Sequence, residues 1–439
     1  MSIQEQNNTR LSNQNTLHNS SKKAPDSTPQ HDAKMRRRLF AARAGFFTGG
    51  FTVASWAPII PFVQTELSLE PAVLGTLLFG LGIGSFFGMP IAGTVSTRFG
   101  NRAALAASGV LSCLLLVVLA MIPGFRIECA ALLFYGVTLG CLEVSANIYG
   151  AQLEKEAGHP LMSGLHAAYS VGEVVSAGAI TGLLVLGVPL LWVVGGLMVV
   201  LAAVLLWALS GVSPAEGRSA VKSEGMVFAP ARGRILMLSL VCMSVFLAEG
   251  AMLDWSAIYV HQVGGVDLKA AGVGYTLFVI AMAIARLMGD RMVERFGRAR
   301  VLVTGMLLNI GTLVAMVLTD SPVVLFASLF VMGLGIANIA PVLISAASSV
   351  KGCDPTAAIT TVTTIGYGGL MAGPALLGFI AQHKSLETAF LFIAALLMMA
   401  LLNEIRVSRQ FTAKSSTAVR RRMGVSRRRR ARDAAFTQA

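Results

Sequence analysis

Residues 93–102 read GTVSTRFGNR, a polar and basic break between two apolar stretches. Its core, Arg98-Phe99-Gly100, returns in the second half of the chain as Arg295-Phe296-Gly297, again between two apolar stretches. A helix needs about 20 apolar residues to cross a hydrocarbon core of about 30 Å, and the flanks of both copies meet that length. Working outward from the copies, twelve such stretches appear, at 39–62, 72–96, 103–123, 129–153, 163–187, 189–209, 234–260, 270–290, 301–319, 322–349, 356–382 and 386–405. The chain reads as an all-α polytopic membrane protein with twelve transmembrane helices.

Composition agrees. Hydrophobic residues make up 55% and charged residues 13%, against about 25% charged in soluble domains. The 45 glycines suit helices that pack closely. The five cysteines form no CxxC pair and read as small apolar side chains, so no disulfide framework and no metal site is expected.

Charge sets the expected orientation. With both termini cytoplasmic, the outside loops hold only Arg126, Lys269 and Lys384, Arg286 lies within a span, and every other Lys or Arg is inside. The positive-inside rule predicts this bias, which an odd number of spans would spoil. Residues 1–38 read as a disordered polar and basic tail without the pattern of a cleavable signal. Residues 406–439 form a basic tail with Arg420–Arg422 and Arg427–Arg430. Beside a membrane, such a run meets anionic lipid or enforces topology in preference to binding nucleic acid. The polar stretch 210–233 divides a bundle at 39–209 from one at 234–405.

The repeated tripeptide sits in the equivalent loop of each half, and tryptophans near the outer end of the first span of each half, Trp56 and Trp255, follow the same repeat. The first copy resembles the loop-2/3 signature of the major facilitator superfamily, G-x-L-x-D-R-x-G-R-R. The resemblance covers about 39–405 and implies two pseudo-symmetric six-helix bundles. It also implies a cytoplasmic latch built from Arg98, Gly100, Arg102, Glu294, Arg295, Gly297 and Arg298. Thr97 stands where the family has an acid, which departs from the pattern in the first half; the other reading is that these arginines only obey topology.

A narrower likeness lies in span four. Residues 140–147, GCLEVSAN, are similar to the fourth-helix motif of fucose-permease-type sugar–proton symporters. Ala248-Glu249-Gly250 with Asp254-Trp255, and Gly366-Tyr367 followed by Gly373-Pro374, look like a poorly characterised bacterial inner-membrane branch near those permeases. The likeness implies a proton-coupling role for Glu143. It does not carry over whole, because span one lacks the aspartate those permeases pair with it. The drug-antiporter signature is absent from residues 169–182, and span four has no buried arginine; both count against drug efflux.

Ionisable side chains within a bilayer cost at least about 2.5 kcal/mol for Asp on insertion scales, so each one is a functional lead. Glu143 lies midway along span four with Asn147 one turn on. His166, Tyr169 and Glu173 share one stripe of span five, where a histidine can relay protons and a tyrosine can stack on a solute. Span seven adds Glu249 near its middle, Asp254 further out, and Trp255 as interfacial anchor or gate. The proton-coupling set is therefore Glu143, Glu173 and Glu249, and the solute-binding set Asn147, His166, Tyr169, Asn338 and Trp255. For each, the bland reading is an interhelical hydrogen bond. Arg286 and Asp290, four apart, are expected to neutralise each other; the alternative is that Arg286 answers Glu143 or Glu249, or holds an anionic substrate. Asn338 and Pro341 mark a break in span ten whose freed carbonyls can line a cavity.

These residues predict a secondary active transporter in a bacterial inner membrane, moving a sugar- or polyol-like solute with protons by alternating access. A proton-driven exporter of metabolites or drugs, and a non-transporting sensor or scaffold, are the alternatives. No Ser-His-Asp, HExxH or P-loop pattern is present, so neither an enzyme nor an ATP-driven pump is expected. The expected partners are the solute, protons and lipid, with no cofactor and a monomeric state.

Overall fold

The computed structural model describes residues 29–159, 161–214, 216, 228–350 and 352–406. Among the described residues twelve helices are long and apolar enough to cross a membrane. They are span one Ala33–Glu66, two Pro71–Phe99, three Asn101–Met121, four Phe125–Ala157, five Met162–Val185, six Leu190–Leu209, seven Gly233–Gln262, eight Leu268–Phe296, nine Arg298–Val317, ten Pro322–Ala347, eleven Ala357–His383 and twelve Leu386–Arg406. The ends near residues 99, 157, 209, 296 and 347 share one face with the described ends of the chain, here the terminal face; the other is the distal face. The basic run beyond residue 406 lies outside the described residues.

Helix begins ten residues before the expected tail boundary, at Pro29. The reason is visible at Arg38, whose guanidinium is buried between the carboxylates of Glu156 at the end of span four and Glu216 in the linker. Span one then breaks after Trp56 and resumes at Ile60. Pro58 in the break has no N–H to give to a continuing helix. Span ten breaks similarly between Ile336 and Ile339, at the Asn338 read from sequence.

Within lipid the helices must satisfy their polar groups internally. Thr48, Thr52 and Ser55 accordingly donate to carbonyls one turn back along span one, and Ser55 also meets Ser176 of span five at 2.7 Å. Close approach is set by glycine. A Cβ at Gly84 or Gly88 of span two would fall 2.0 or 2.1 Å from a carbonyl oxygen of span four, and Gly136 and Gly140 return the same contact from the other side. These are two interlocked GxxxG faces. Gly172 of span five meets the backbone of span one in the same way. In the second half, Gly333 of span ten touches Phe278 of span eight, and Gly369 of span eleven touches Met243 of span seven. Spans 2·4 and 1·5 thus repeat as 8·10 and 7·11.

Spans one to six meet spans seven to twelve chiefly through the pairs 2·11 and 5·8. Toward the distal face the contact is backbone to backbone. A Cβ at Gly75 would lie 2.4 Å from the Pro374 carbonyl oxygen, and one at Gly378 the same distance from that of Pro71. Gln382 hydrogen bonds Glu70 at 3.0 Å, and Gln262 bonds Gln64 at 3.0 Å. Toward the terminal face the same spans diverge. Gly93, Gly164 and Gly368, on spans two, five and eleven, face open space. The close contacts between the halves thus lie toward the distal face, and the exposure of the Arg286 side chain (36%) below them marks a cleft reached from the terminal side.

Each repeated loop is a single-residue joint. Gly100 (φ 90°, ψ 160°) ends span two and starts span three; Gly297 (φ 82°, ψ 151°) does the same for spans eight and nine. Only glycine adopts this region without strain. The Gly100 joint is covered, with Asn101 donating its main-chain N–H to the Glu216 carbonyl at 2.9 Å.

Gly136→Leu is expected to lower stability by about 1–3 kcal/mol through overpacking against span two. Gly195→Leu, on a face of span six with no neighbour, should be near neutral. Thermal unfolding in detergent measures both, and equal midpoints would remove the glycine contact as the determinant of this packing.

Candidate functional site

Midway along the cleft, Arg286 of span eight gathers two carboxylates from different halves. Its guanidinium lies 3.2 Å from Glu249 of span seven and 3.7 Å from Glu173 of span five, and it donates to Ser170 at 3.4 Å. The planar fork of arginine suits it to hold two carboxylates at once. The side chains are exposed to different degrees, 36% for Arg286, 27% for Glu249 and 10% for Glu173, so the group is reached from the open cleft. This corrects the expected Arg286–Asp290 pair. Asp290 sits one turn nearer the terminal face and is exposed, with no ion pair among the described residues. Arg286 turns instead to the deeper carboxylates, where the lower dielectric makes the attraction stronger.

Glu143 of span four lies beside this group without joining it. Its side chain is half-buried and makes no ion pair among the described residues. The Tyr169 ring rests on Gly49 of span one, and Tyr367 packs edge-on to Phe246 at 5.2 Å. Tyr275 of span eight is buried and stacks on Phe278 at 6.2 Å. His166 lies nearer the terminal face, exposed and edge-on to Phe46 at 5.1 Å. Of the residues read from sequence, then, Glu173, Glu249 and Arg286 come together in direct contact.

Others do not. Trp255 is fully buried, so it is neither an interfacial anchor nor part of the cleft lining; the faces of span seven that pack on its neighbours enclose it. Asn338 is buried and donates to the Ala285 carbonyl at 2.9 Å, bracing the break of span ten against the turn that carries Arg286. Asn147 folds back to its own helix, donating to the Glu143 carbonyl at 2.9 Å. Asp254 is buried. At the terminal face, Arg98 and Arg295 each lie over the adjacent phenylalanine, at 5.4 and 5.5 Å from the ring centroid. Arg102 donates to the Val212 carbonyl at 3.4 Å, while Glu294 and Arg298 are exposed without an ion pair among the described residues. In this structure the loop residues therefore tie the first half to the linker and do not latch one half to the other.

Sequence reasoning gave no role to Ser170, Tyr275 or Tyr367. None is charged, so none stands out as costly in lipid. The available signal was a hydroxyl within an otherwise apolar span. Among the described residues no group of three His, Cys, Asp or Glu side chains is placed to hold a metal ion.

Twelve membrane-crossing helices in two matching sets, with charged groups facing a shared cleft, are the architecture of a multi-pass membrane carrier. The chain belongs to the Major Facilitator Superfamily, whose model matches residues 44–275 and 265–422. It is 37% identical over 358 residues to an uncharacterised MFS-type transporter of Yersinia pestis, covering 82% of this chain and 92% of that protein. The membrane protein MosC of Rhizobium meliloti is 28% identical over 359 residues, covering 80% of this chain and 85% of that one. Among solved structures, a mutant form of the nucleoside transporter NupG superposes with a TM-score of 0.70 at 13% identity, over 84% of this chain and 99% of that one. The human organic anion transporter MFSD10 gives 0.59 at 16% identity, over 84% and 99%. At such identities the structural likeness establishes the fold.

Removing the arginine should expose the cost of the carboxylates it holds. Arg286→Gln is expected to lower the unfolding midpoint in detergent, and adding Glu249→Gln should recover part of the loss. A double variant whose losses simply add would show that the two groups act independently.

Proposed function

We propose that this protein is a proton-coupled secondary transporter that moves a small polar solute, sugar- or polyol-like, by alternating access. Residues 39–209 and 234–405 act as two bundles rocking about the cleft, with both termini on the cytoplasmic side of a bacterial inner membrane. On this reading the structure is the inward-open state. The observation that carries the proposal is the Arg286 bridge, because its two carboxylates come from different halves of the chain.

The chemistry follows from charge balance. Glu143, Glu173 and Glu249 outnumber the one arginine among them, and surplus carboxylate charge within a membrane is costly. Protons are the ready counter-charge. Protonation of Glu173 weakens the link between spans five and eight, so the two halves are freer to separate there. A ligand shifts such an equilibrium only by the difference in its affinity for the two states. Solute contacts from both halves supply that difference, and hydroxyl-rich solutes suit the tyrosines and Ser170 lining the cleft. The latch expected from the loop residues belongs on this reading to the opposite, outward-open state, in which the terminal face is closed.

The test is proton movement in proteoliposomes pulsed with sugars, polyols, amino sugars and nucleosides, the last because NupG shares the fold. One class should trigger a pH change in the wild type that Glu173→Gln abolishes. If no solute moves protons, or the variant matches wild type, proton coupling at this site is wrong.

A further inference from the structure

Spans two and four run in the same direction and face each other along one stripe of each helix. On span two the stripe is Val73, Leu77, Gly80, Gly84 and Gly88; on span four it is Phe125, Cys129, Leu133, Gly136 and Gly140. Every step is three or four residues, as one helical face requires. The last two glycines of each stripe are in backbone contact with the opposite helix. Toward the distal face the same stripes part. A Cβ at Gly80 would meet nothing within 4 Å, and a groove of about 290 Å³ opens between the helices, lined by Val73, Leu77, Gly80, Phe125, Cys129 and Leu133 together with Thr76. Val73, Phe125 and Leu133 are exposed, so the outer side of the wedge is uncovered.

The groove faces the surrounding membrane and not the cleft. Its lining comes from spans two and four alone, and Gly75, which meets span eleven, is on the opposite side of span two. The hydroxyl on the wall is spent, because Thr76 donates to the Ala72 carbonyl at 2.8 Å. What remains is an apolar slot that a hydrocarbon chain can fill. At its distal mouth stands a cation. Arg126 precedes Cys129 by three residues and Leu133 by seven, which puts it on the lining stripe of span four. It is exposed and makes no ion pair among the described residues. The acids nearest in the fold do not answer it: Glu128 is fully buried, and Glu70 accepts from Gln382 at 3.0 Å on the span-eleven side.

We propose that this wedge is a binding site for an anionic phospholipid of the distal leaflet, with one acyl chain in the groove and the headgroup phosphate on Arg126. An empty slot between helices forfeits the dispersion contacts of its walls, and a chain that fills it restores them. The chain alone would make the site indifferent to lipid type. Arginine supplies the choice, since its planar fork of N–H donors matches phosphate oxygens and its charge favours a headgroup with net negative charge. A second copy of the protein is a poorer occupant. It would bring a helix about 10 Å across to a wedge that closes at Gly84. The site is independent of the transported solute and of the direction of transport.

Photolabelling in nanodiscs tests it. The full-length protein is placed in phosphatidylcholine discs with a trace of phosphatidylglycerol or phosphatidylcholine, each carrying the same diazirine-tagged acyl chain, and labelled peptides are mapped by mass spectrometry. Residues 73–80 and 125–133 should take up phosphatidylglycerol at least threefold more than phosphatidylcholine. Arg126→Gln should erase that excess, while Lys269→Gln and Lys384→Gln, in the other distal loops, should keep it. Gly80→Leu puts a side chain into the open groove and should cut labelling of these peptides by both lipids, while labelling elsewhere on the chain holds and shows the variant to be folded. Equal labelling by the two lipids, or an excess that survives Arg126→Gln, overturns the anionic site. Labelling unchanged in Gly80→Leu overturns the seat of the chain in the groove. Discs that hold two copies with these peptides unlabelled would show a second copy there and overturn the proposal as well.

Discussion

Contact between helix backbones at glycine governs how this protein is built. In lipid there is little hydrophobic gain in pressing one apolar helix against another, so association relies on close packing. Gly84, Gly88, Gly136 and Gly140 bring spans two and four within carbonyl contact, and Gly333 and Gly369 repeat the device in the second half. Gly75 and Gly378 then apply it between the halves, on the distal side alone. The open side of the cleft is where these contacts cease. The same local rule thus makes each half firm and makes the seam between them asymmetric.

That asymmetry gives the charged cluster its setting. Arg286 and its carboxylates lie below the distal seal and are reached from the terminal side, so the ions are neither in bulk water nor shut away from it. A fully sealed ion triad would be costly to hold and costlier to break. A partly hydrated one can exchange a partner for a proton or a solute at modest expense. The neighbouring Asn338, tied to Ala285, fixes the turn from which the arginine projects, so the break in span ten serves as a brace for the site.

Much of the fold could be read directly from the residues. Span count follows from the length of apolar runs, and the Arg-Phe-Gly repeat pointed to a duplicated unit before any geometry was known. The depth of Glu143, Glu173 and Glu249 was also readable, because a carboxylate in an apolar run is conspicuous. Their partners were not. Helical spacing made Asp290 the natural mate of Arg286, since a four-residue offset is the one pairing a single helix can advertise. The actual partners lie on spans five and seven, and only tertiary packing brings them near. Trp255 failed for a related reason: position along a helix was legible, but the face it turns to its neighbours was not. Tyr275 escaped notice, and Tyr367 was read only as part of a motif, because neutral hydroxyls leave no mark on a hydropathy profile.

The two glycine joints, alike in conformation, stand in unlike surroundings. Gly100 is roofed by the carbonyls of Pro214 and Glu216, whereas nothing lies within 4 Å of a Cβ at Gly297. A duplicated element has therefore been left with unequal freedom to change. Around Gly100, side-chain size and backbone path are both fixed, because the linker is moored there and Arg38 shares its acid. Around Gly297 backbone conformation alone constrains the chain, so that joint is the more tolerant of drift. The first copy has given up mutational latitude to become an anchorage, and the second has kept it.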